Sequence, residues 1–386
     1  MQSRIEGTVT SSTDTHYESL RRAMVWNQLA PDRRPRNIVQ VTSENDVMET
    51  IRFSRANHMK VAVRGGGHSW VGFSLRDDSL LIDLARLNKA SIDREARRAI
   101  VQPAITSREL DRMLNAQGLA FPVGHCPTVP MSGFILNGAL GWNFNNWGPG
   151  CFSVEAARVV TADGNLIVAT NERNSDLLWA IRGGGPGFFG VITEYTLNAY
   201  SAPATILTRN YYYPLERIEE IGDWAGGVAR TLPRQVELTI FIAGAPPSIS
   251  DRCKSNSGLA CVVSGTVFAD SATAGASILK TLDACPVSSS CLLKEPDLAT
   301  PIDALHDMGA LFWPERHRYI ADTLWITSAP GKVLATSRDQ FLRAASSKSF
   351  QVFVFSTGEH RPFPDGAYSM SGDALLLLRD LGTSGG

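Results

Sequence analysis

Residues 61–70 read Val-Ala-Val-Arg-Gly-Gly-Gly-His-Ser-Trp, and residues 121–133 read Phe-Pro-Val-Gly-His-Cys-Pro-Thr-Val-Pro-Met-Ser-Gly. The first stretch is a buried-strand pattern that runs straight into three glycines and then a histidine. Glycines after a strand let the backbone approach a ligand closely and present N–H groups to an anion. The second stretch is a loop punctuated by glycine and proline, with a cysteine in its middle. Each tight segment delivers one nucleophile, His68 and Cys126. A single flat, electrophilic cofactor within reach of both would explain the pair.

Each motif also has a plainer reading. Gly65-Gly66-Gly67-His68 alone describes a tight turn with a capping histidine, and Cys126 alone describes an inert buried thiol or a catalytic one. A protease-like dyad with His125 is disfavoured, because adjacent side chains of an extended backbone point to opposite sides. Residues 185–190, Gly-Pro-Gly-Phe-Phe-Gly, formally match G-x-G-x-x-G. That dinucleotide fingerprint must follow a strand and open a helix, whereas here a short helix precedes and a strand follows. Ser132 to Trp142 is a second glycine-rich stretch, readable as a buried hairpin or as a ligand wall. Trp142, Phe144 and Trp147 read either as core or as pocket wall.

Four stretches in this order resemble the berberine-bridge-type FAD-linked oxidases, within the vanillyl-alcohol oxidase / p-cresol methylhydroxylase (PCMH) flavoprotein family. They are Arg64 to Ser69, Cys126-Pro127-Thr128-Val129, Gly138 to Trp142, and Gly187 to Thr193. The resemblance covers roughly residues 32–386 and is densest between about 60 and 200. It implies a bicovalent flavin, with His68 on the 8α-methyl and Cys126 on C6. It also implies FAD contacts from Arg64, Gly65, Gly66, Gly67, Ser69 and Thr128. Ser132, Gly133, Asn137, Gly138, Gly141 and Trp142 would lie along the phosphates and ribityl chain, and Gly190, Val191 and Ile192 would line the flavin with backbone atoms. Phe188 stands where the family often has Asn, and Asn137 and Ala139 stand where many members have Gly.

The fold implied is α+β: a two-subdomain PCMH-type FAD-binding domain over 32–202, then an antiparallel-sheet substrate domain over 203–386. The family's last segment, with its Tyr-x-Asn motif, is not present before Gly386, so the second domain is expected to be incomplete and Ala374 to Leu378 to form an unpaired sheet edge. The activity implied is oxidation of a hydroxyl- or amine-bearing small molecule, such as a sugar, alcohol, polyphenol or alkaloid, by hydride transfer to the flavin with oxygen as acceptor. The alternative is a catalytically impaired flavin-binding protein. No general base is assigned.

Composition is ordinary for a globular protein. A chain of 386 residues suggests about two domains. A net charge of −1 gives no electrostatic case for nucleic acid or an anionic membrane. Met1 to Thr15 is polar and holds no apolar signal core. The uncharged run from Pro127 to Val154 is broken by Pro130, Gly133, Gly138, Gly141, Gly148 and Pro149, so it does not read as a membrane span. A cytoplasmic protein with no membrane partner is expected. Six cysteines are present, and Cys253, Cys261, Cys285 and Cys291 read either as two disulfides or, preferably, as free thiols in a reducing compartment. No metal spacing is seen; Glu315 and His317 are candidate pocket residues, with surface positions preferred.

Strands are expected at 37–41, 60–63, 80–84, 99–102, 156–161, 166–170 and 190–200. Helices are expected from Ser43 as N-cap to Asn57, at 107–117 ending at Gly118, and at 175–181 with Trp179 on its buried side. A second set of strands is expected at 205–213, 236–243, 260–268 and 350–356, with helices near 216–230 and 272–284.

Overall fold

The structure is a computed structural model that describes residues 1–343, 349–359, 362–370 and 374–382. It divides into two units. The first comprises Met1–Ala202, His306–Arg316 and Phe363–Ser369; the second comprises Pro203–Leu305, His317–Pro362 and Met370–Gly386.

The first unit holds two main sheets. In one, the strands run in the order Thr8–Ser11, Asn37–Gln40, Ser79–Asp83, Lys60–Arg64. Ser79–Asp83 is parallel to both of its neighbours and buried at every position. A strand covered on both faces needs a continuous apolar run, and Leu80-Leu81-Ile82 supplies it. The helix Glu44–Ala56 links Asn37–Gln40 to Lys60–Arg64 and buries Val47 and Ile51. Its N-cap Ser43 accepts a hydrogen bond from the Asp46 N–H, as its sequence announces.

Asp46 also anchors the N-terminal segment. Its carboxylate accepts from the backbone N–H groups of Glu6, Gly7 and Thr42 and from the Thr42 hydroxyl. Burial pushes the carboxyl up, but these hydrogen bonds outweigh it and hold Asp46 below its usual range. A depressed folded value means that the stabilisation is complete above about pH 4 and is lost as pH falls below that. Asp46→Ala should therefore lose at least about 2 kcal/mol near neutrality, because three backbone donors lose their acceptor. The deficit should shrink in acid; denaturant melts at pH 7 and pH 3.5 measure both.

The second sheet is antiparallel, in the order Ala90–Asp93, Arg98–Val101, Val191–Asn198, Val154–Val160, Leu166–Thr170. The hairpin between its last two strands turns at Ala162-Asp163-Gly164, where Gly164 takes φ +73°. The helix Ser107–Asn115 starts with a complete capping box between Thr106 and Glu109. The helix Ser175–Ile181 buries Leu178 and Ile181, while Trp179 is 45% exposed. The expectation that Trp179 faces inward is thus corrected. The helix places Leu178 and Ile181 at the i, i+3 spacing of one face, and Trp179 lies outside that stripe.

The second unit is one antiparallel sheet in the order Leu293–Lys294, Thr205–Tyr213, Leu259–Ala269, Val236–Gly244, Phe350–Phe355, Ala374–Gly382, Arg318–Ile326. Leu298–Ala299 also pairs with Thr205–Tyr213. Residues from the helices Ile218–Ala229, Ala272–Leu279 and Pro330–Phe341 join the sheet in one apolar cluster. Ala374–Gly382 is paired on both sides, by Phe350–Phe355 and by Arg318–Ile326, so the expected unpaired edge is not there. Its second partner escapes sequence reading because Arg318, Asp322 and Thr323 interrupt any apolar alternation, as suits an exposed edge strand.

In the structure all six cysteines are free. Among the described residues no helix is long and apolar enough to cross a membrane, and no cluster of three or more metal-ligating side chains occurs.

Candidate flavin site

The site grows from the end of the strand Lys60–Arg64. Arg64 does not extend outward. Its Nη1 lies 2.9 Å from Oδ1 of the buried Asp83, Nη2 donates to the Gly66 carbonyl at 3.1 Å, and Nε donates to the Met24 carbonyl at 3.3 Å. The guanidinium therefore folds the glycine turn over the sheet edge. The glycines are needed for close approach. A Cβ on Gly65 would lie 1.7 Å from Ser132 Oγ, and one on Gly66 would lie 2.4 Å from the Pro130 ring. Gly67 takes φ +72°, and a Cβ there would meet the Met24 carbonyl oxygen at 2.3 Å. The turn is thus packed directly on residues 130–132, which sequence reading places in the other motif.

His68 follows, stacked on Trp26 with ring centroids 4.9 Å apart. Its Nε2 is 3.2 Å from Thr128 Oγ1, and the same oxygen is 3.6 Å from Cys126 Sγ. One hydroxyl joins the two nucleophiles across the fold. Burial, aided by the Arg64 charge and opposed by the Thr128 hydrogen bond, lowers the His68 imidazole to about 4. His68 is neutral at pH 7 and so keeps a lone pair for attack. Cys126 shifts the opposite way. Burial pushes its thiol up, the Glu315 carboxylate adds to that, and hydrogen bonds from Thr128 and Val129 offset part of it.

The Cys126 loop is held by the start of the helix Ser107–Asn115. First-turn N–H groups have no partner within their own helix. Here the Ser107 N–H donates to the Val129 carbonyl at 2.8 Å and the Arg108 N–H to the Pro127 carbonyl at 3.1 Å. Ser107 Oγ accepts from the Gly124 N–H at 3.1 Å. The His125 ring packs on Trp142, with centroids 4.0 Å apart.

The remaining expected residues surround this centre. Ser69 Oγ accepts from the Phe73 N–H at 3.3 Å. The Ser132 carbonyl accepts from the Tyr195 hydroxyl at 3.3 Å. Asn137 closes the helix Met131–Leu136 by donating to the Gly133 carbonyl at 2.6 Å. Its Oδ1 is 3.5 Å from where a Gly185 Cβ would stand, which brings the 185–190 segment to the same place. Gly141 packs on the Val123 carbonyl, 2.1 Å from its would-be Cβ, and Trp142 N–H donates to that carbonyl at 2.9 Å. Val191 and Ile192 pair with Val160 and Val159 and point their side chains into the core beside Gly190. Phe144 is buried and Trp147 stacks on Tyr200 at 5.3 Å, which gives both a packing role.

Two residues were missed. Trp26 floors His68, and Tyr368 covers Gly138, whose would-be Cβ lies 2.3 Å from its ring. Neither carries a local signal; both contacts are long-range. Glu315 is exposed, as preferred.

The site residues fit a bound flavin nucleotide. A Cβ on Gly133 or Gly187 would meet no atom within 4 Å, so glycine at these two places is not explained by packing and leaves room beside the backbone. The nearby nucleophiles are a neutral imidazole and a thiol joined by one hydroxyl.

Residues 35–170 match the family described as FAD binding domain. The FAD-linked oxidoreductase janO of Penicillium janthinellum is 27% identical over 94% of this chain and 79% of its own length. The crystal structure of 6-hydroxy-D-nicotine oxidase from Arthrobacter nicotinovorans superposes with a TM-score of 0.82 at 19% identity, covering 98% of this chain and 82% of that one. A berberine-bridge-enzyme-like protein of Physcomitrella patens gives 0.80 at 18% identity, over 100% of this chain and 83% of that one. This chain is an FAD-linked oxidoreductase with the berberine-bridge fold. The oxidoreductase binds FAD and acts on a small-molecule substrate.

Proposed function

We propose that the oxidoreductase holds FAD through two covalent bonds, from His68 to the 8α-methyl carbon and from Cys126 to C6. With it, the enzyme oxidises a hydroxyl- or amine-bearing small molecule and delivers the electrons to dioxygen. The observation that carries this reading is the Thr128 hydroxyl between His68 and Cys126. Residues 32–202 form the FAD-binding domain and 203–386 the substrate domain in this reading. The turn Gly65–Ser69, with Thr128, Ser132, Gly133, Asn137, Gly138, Gly141, Trp142 and the backbone of Gly190–Ile192, holds the nucleotide. Arg64 contributes by shaping that turn. Six free thiols suit a reducing compartment such as the cytoplasm.

Bound FAD supplies the hydride acceptor; the protein supplies orientation and electrostatics. Each linkage is an oxidation with a balanced course. The unprotonated imidazole nitrogen of His68 would bond the 8α carbon, the other ring nitrogen would give up its proton, and the carbon would lose one hydrogen. Cys126 Sγ loses its proton and bonds C6, which loses its hydrogen. In each case dioxygen takes the two electrons and two protons and leaves as hydrogen peroxide. The neutral state of His68 suits the first bond at pH 7. The relatives favour a nitrogen heterocycle as one substrate class, since a 6-hydroxynicotine oxidase is similar to this chain both in sequence and in fold.

Acid precipitation tests the reading. Flavin should pellet with the protein, and digestion should give peptides of His68 and Cys126 joined through FAD. Flavin released to the supernatant would refute covalent attachment. Substrate screening by peroxide release tests the acceptor. Glu315→Gln removes a negative charge that pushes the Cys126 thiol up. It should speed the Cys126 linkage by a few-fold at pH 7 without changing the His68 linkage, as time-resolved mass analysis would show.

A further inference from the structure

We propose that the buried pair His306–Asp111 is a positioning device for Cys126, selective for the Cys126 bond over the His68 bond; this rests on the covalent reading above. His306 is 0% exposed and Asp111 1%, and His306 Nε2 lies 2.9 Å from Asp111 Oδ2. Asp111 lies on the helix Ser107–Asn115, whose first-turn N–H groups hold the carbonyls of Pro127 and Val129 on either side of Thr128. His306 lies on the helix Ile302–Phe312. Three residues further on, Gly309 rests on the carbonyl of His125, so closely that a Cβ would stand 2.2 Å from that oxygen. Arg108 Nη2 adds a second tie to Asp307 at 2.6 Å.

The segment His125–Pro127 is therefore gripped from two sides, and the His306–Asp111 pair closes the grip. A buried polar pair is a poor source of stability, because desolvation offsets most of its attraction. Among the described residues the Nδ1 of His306 has no hydrogen-bond partner, which lowers the pair's value as a stabiliser further. What a directional pair provides, and an apolar contact does not, is a fixed register between two helices. Attack at a ring carbon tolerates little displacement of the sulfur. His68 hangs from a different element, the turn after Lys60–Arg64, and meets the gripped loop at the Thr128 hydroxyl rather than through its backbone.

The test compares the full-length wild type with His306→Leu and His306→Gln, each purified with its flavin. Peptide mass analysis reads the fraction of FAD bonded to His68 alone and to both residues, and alkylation after denaturation counts free Cys126. His306→Leu should keep the His68 bond and raise free Cys126 at least tenfold. His306→Gln, which can still donate to Asp111, should restore most of the double linkage. Equal double linkage in His306→Leu, or a parallel fall of both bonds, would overturn the proposal in favour of a structural role. Should His306→Leu fail to fold, Gly309→Ala decides: it leaves the pair intact but presses on the His125 carbonyl, so it should show the same selective loss, and unchanged linkage would overturn the proposal. Absence of the Cys126 bond in the wild type would instead refute the covalent reading itself, and the inference with it.

Discussion

Replacing Arg64 by Leu should lower stability by about 3–5 kcal/mol, the usual cost of removing one partner of a buried ion pair. Asp83 is 1% exposed, so its carboxylate would be left in an apolar sheet with, among the described residues, the Gln40 side chain and the Ala85 N–H as donors. The same change frees the carbonyls of Met24 and Gly66 from the guanidinium. The glycine turn would then loosen at the point where His68 leaves it. A fall in melting temperature of roughly 6–20 °C should accompany the loss, given about 2–4 °C per kcal/mol for a unit of this size. The double variant Arg64→Leu/Asp83→Leu should recover at least half of the loss, because an apolar pair of similar volume avoids the unpaired charge. Equal melting temperatures for the single and double variants would show that the glycine turn, rather than the charge pair, is what Arg64 supports.

The two proposed covalent bonds should separate by pH. His68, lowered to about 4, is already neutral throughout the range from pH 6 to 8, so the rate of its bond should be flat there. Cys126 reacts as the thiolate, and burial pushes its thiol above the ordinary value of about 8.5. Below its pKa the thiolate fraction rises tenfold per pH unit, so the Cys126 bond should form about a hundredfold faster at pH 8 than at pH 6. Mixing apoprotein with FAD, quenching in acid and digesting at intervals gives both rates from one sample. A Cys126 rate that does not change with pH would mean that proton removal does not limit the step. Thr128→Val should slow the Cys126 bond further, because the hydroxyl that lowers the thiol is gone.

Much of the fold was legible in the chain. Ser43 as a helix start, Asp163-Gly164 as a hairpin turn, and residues 80–84 as a strand all depend on interactions within a few residues or on which positions are apolar. The motif residues His68 and Cys126 were legible for the same reason, since glycine and proline mark the backbone around them directly. Trp179 and the strand Arg318–Ile326 were misread or missed where local pattern stops deciding. The tryptophan lies outside the helix stripe that packs, and the strand lies at an edge where charge is tolerated.

The sequence by itself therefore determined the glycine turn, the motifs that carry His68 and Cys126, and the helix and strand starts, because those follow from backbone sterics and short-range hydrogen bonds. Tertiary structure alone decided that Arg64 turns inward to Asp83, that Trp26 stacks on His68, that one Thr128 hydroxyl spans His68 and Cys126, and that His306 reaches Asp111. Each of these joins residues that are distant in the chain. Their chemistry depends on burial and on which charge lies nearby, and neither exists until the sheets and helices have packed.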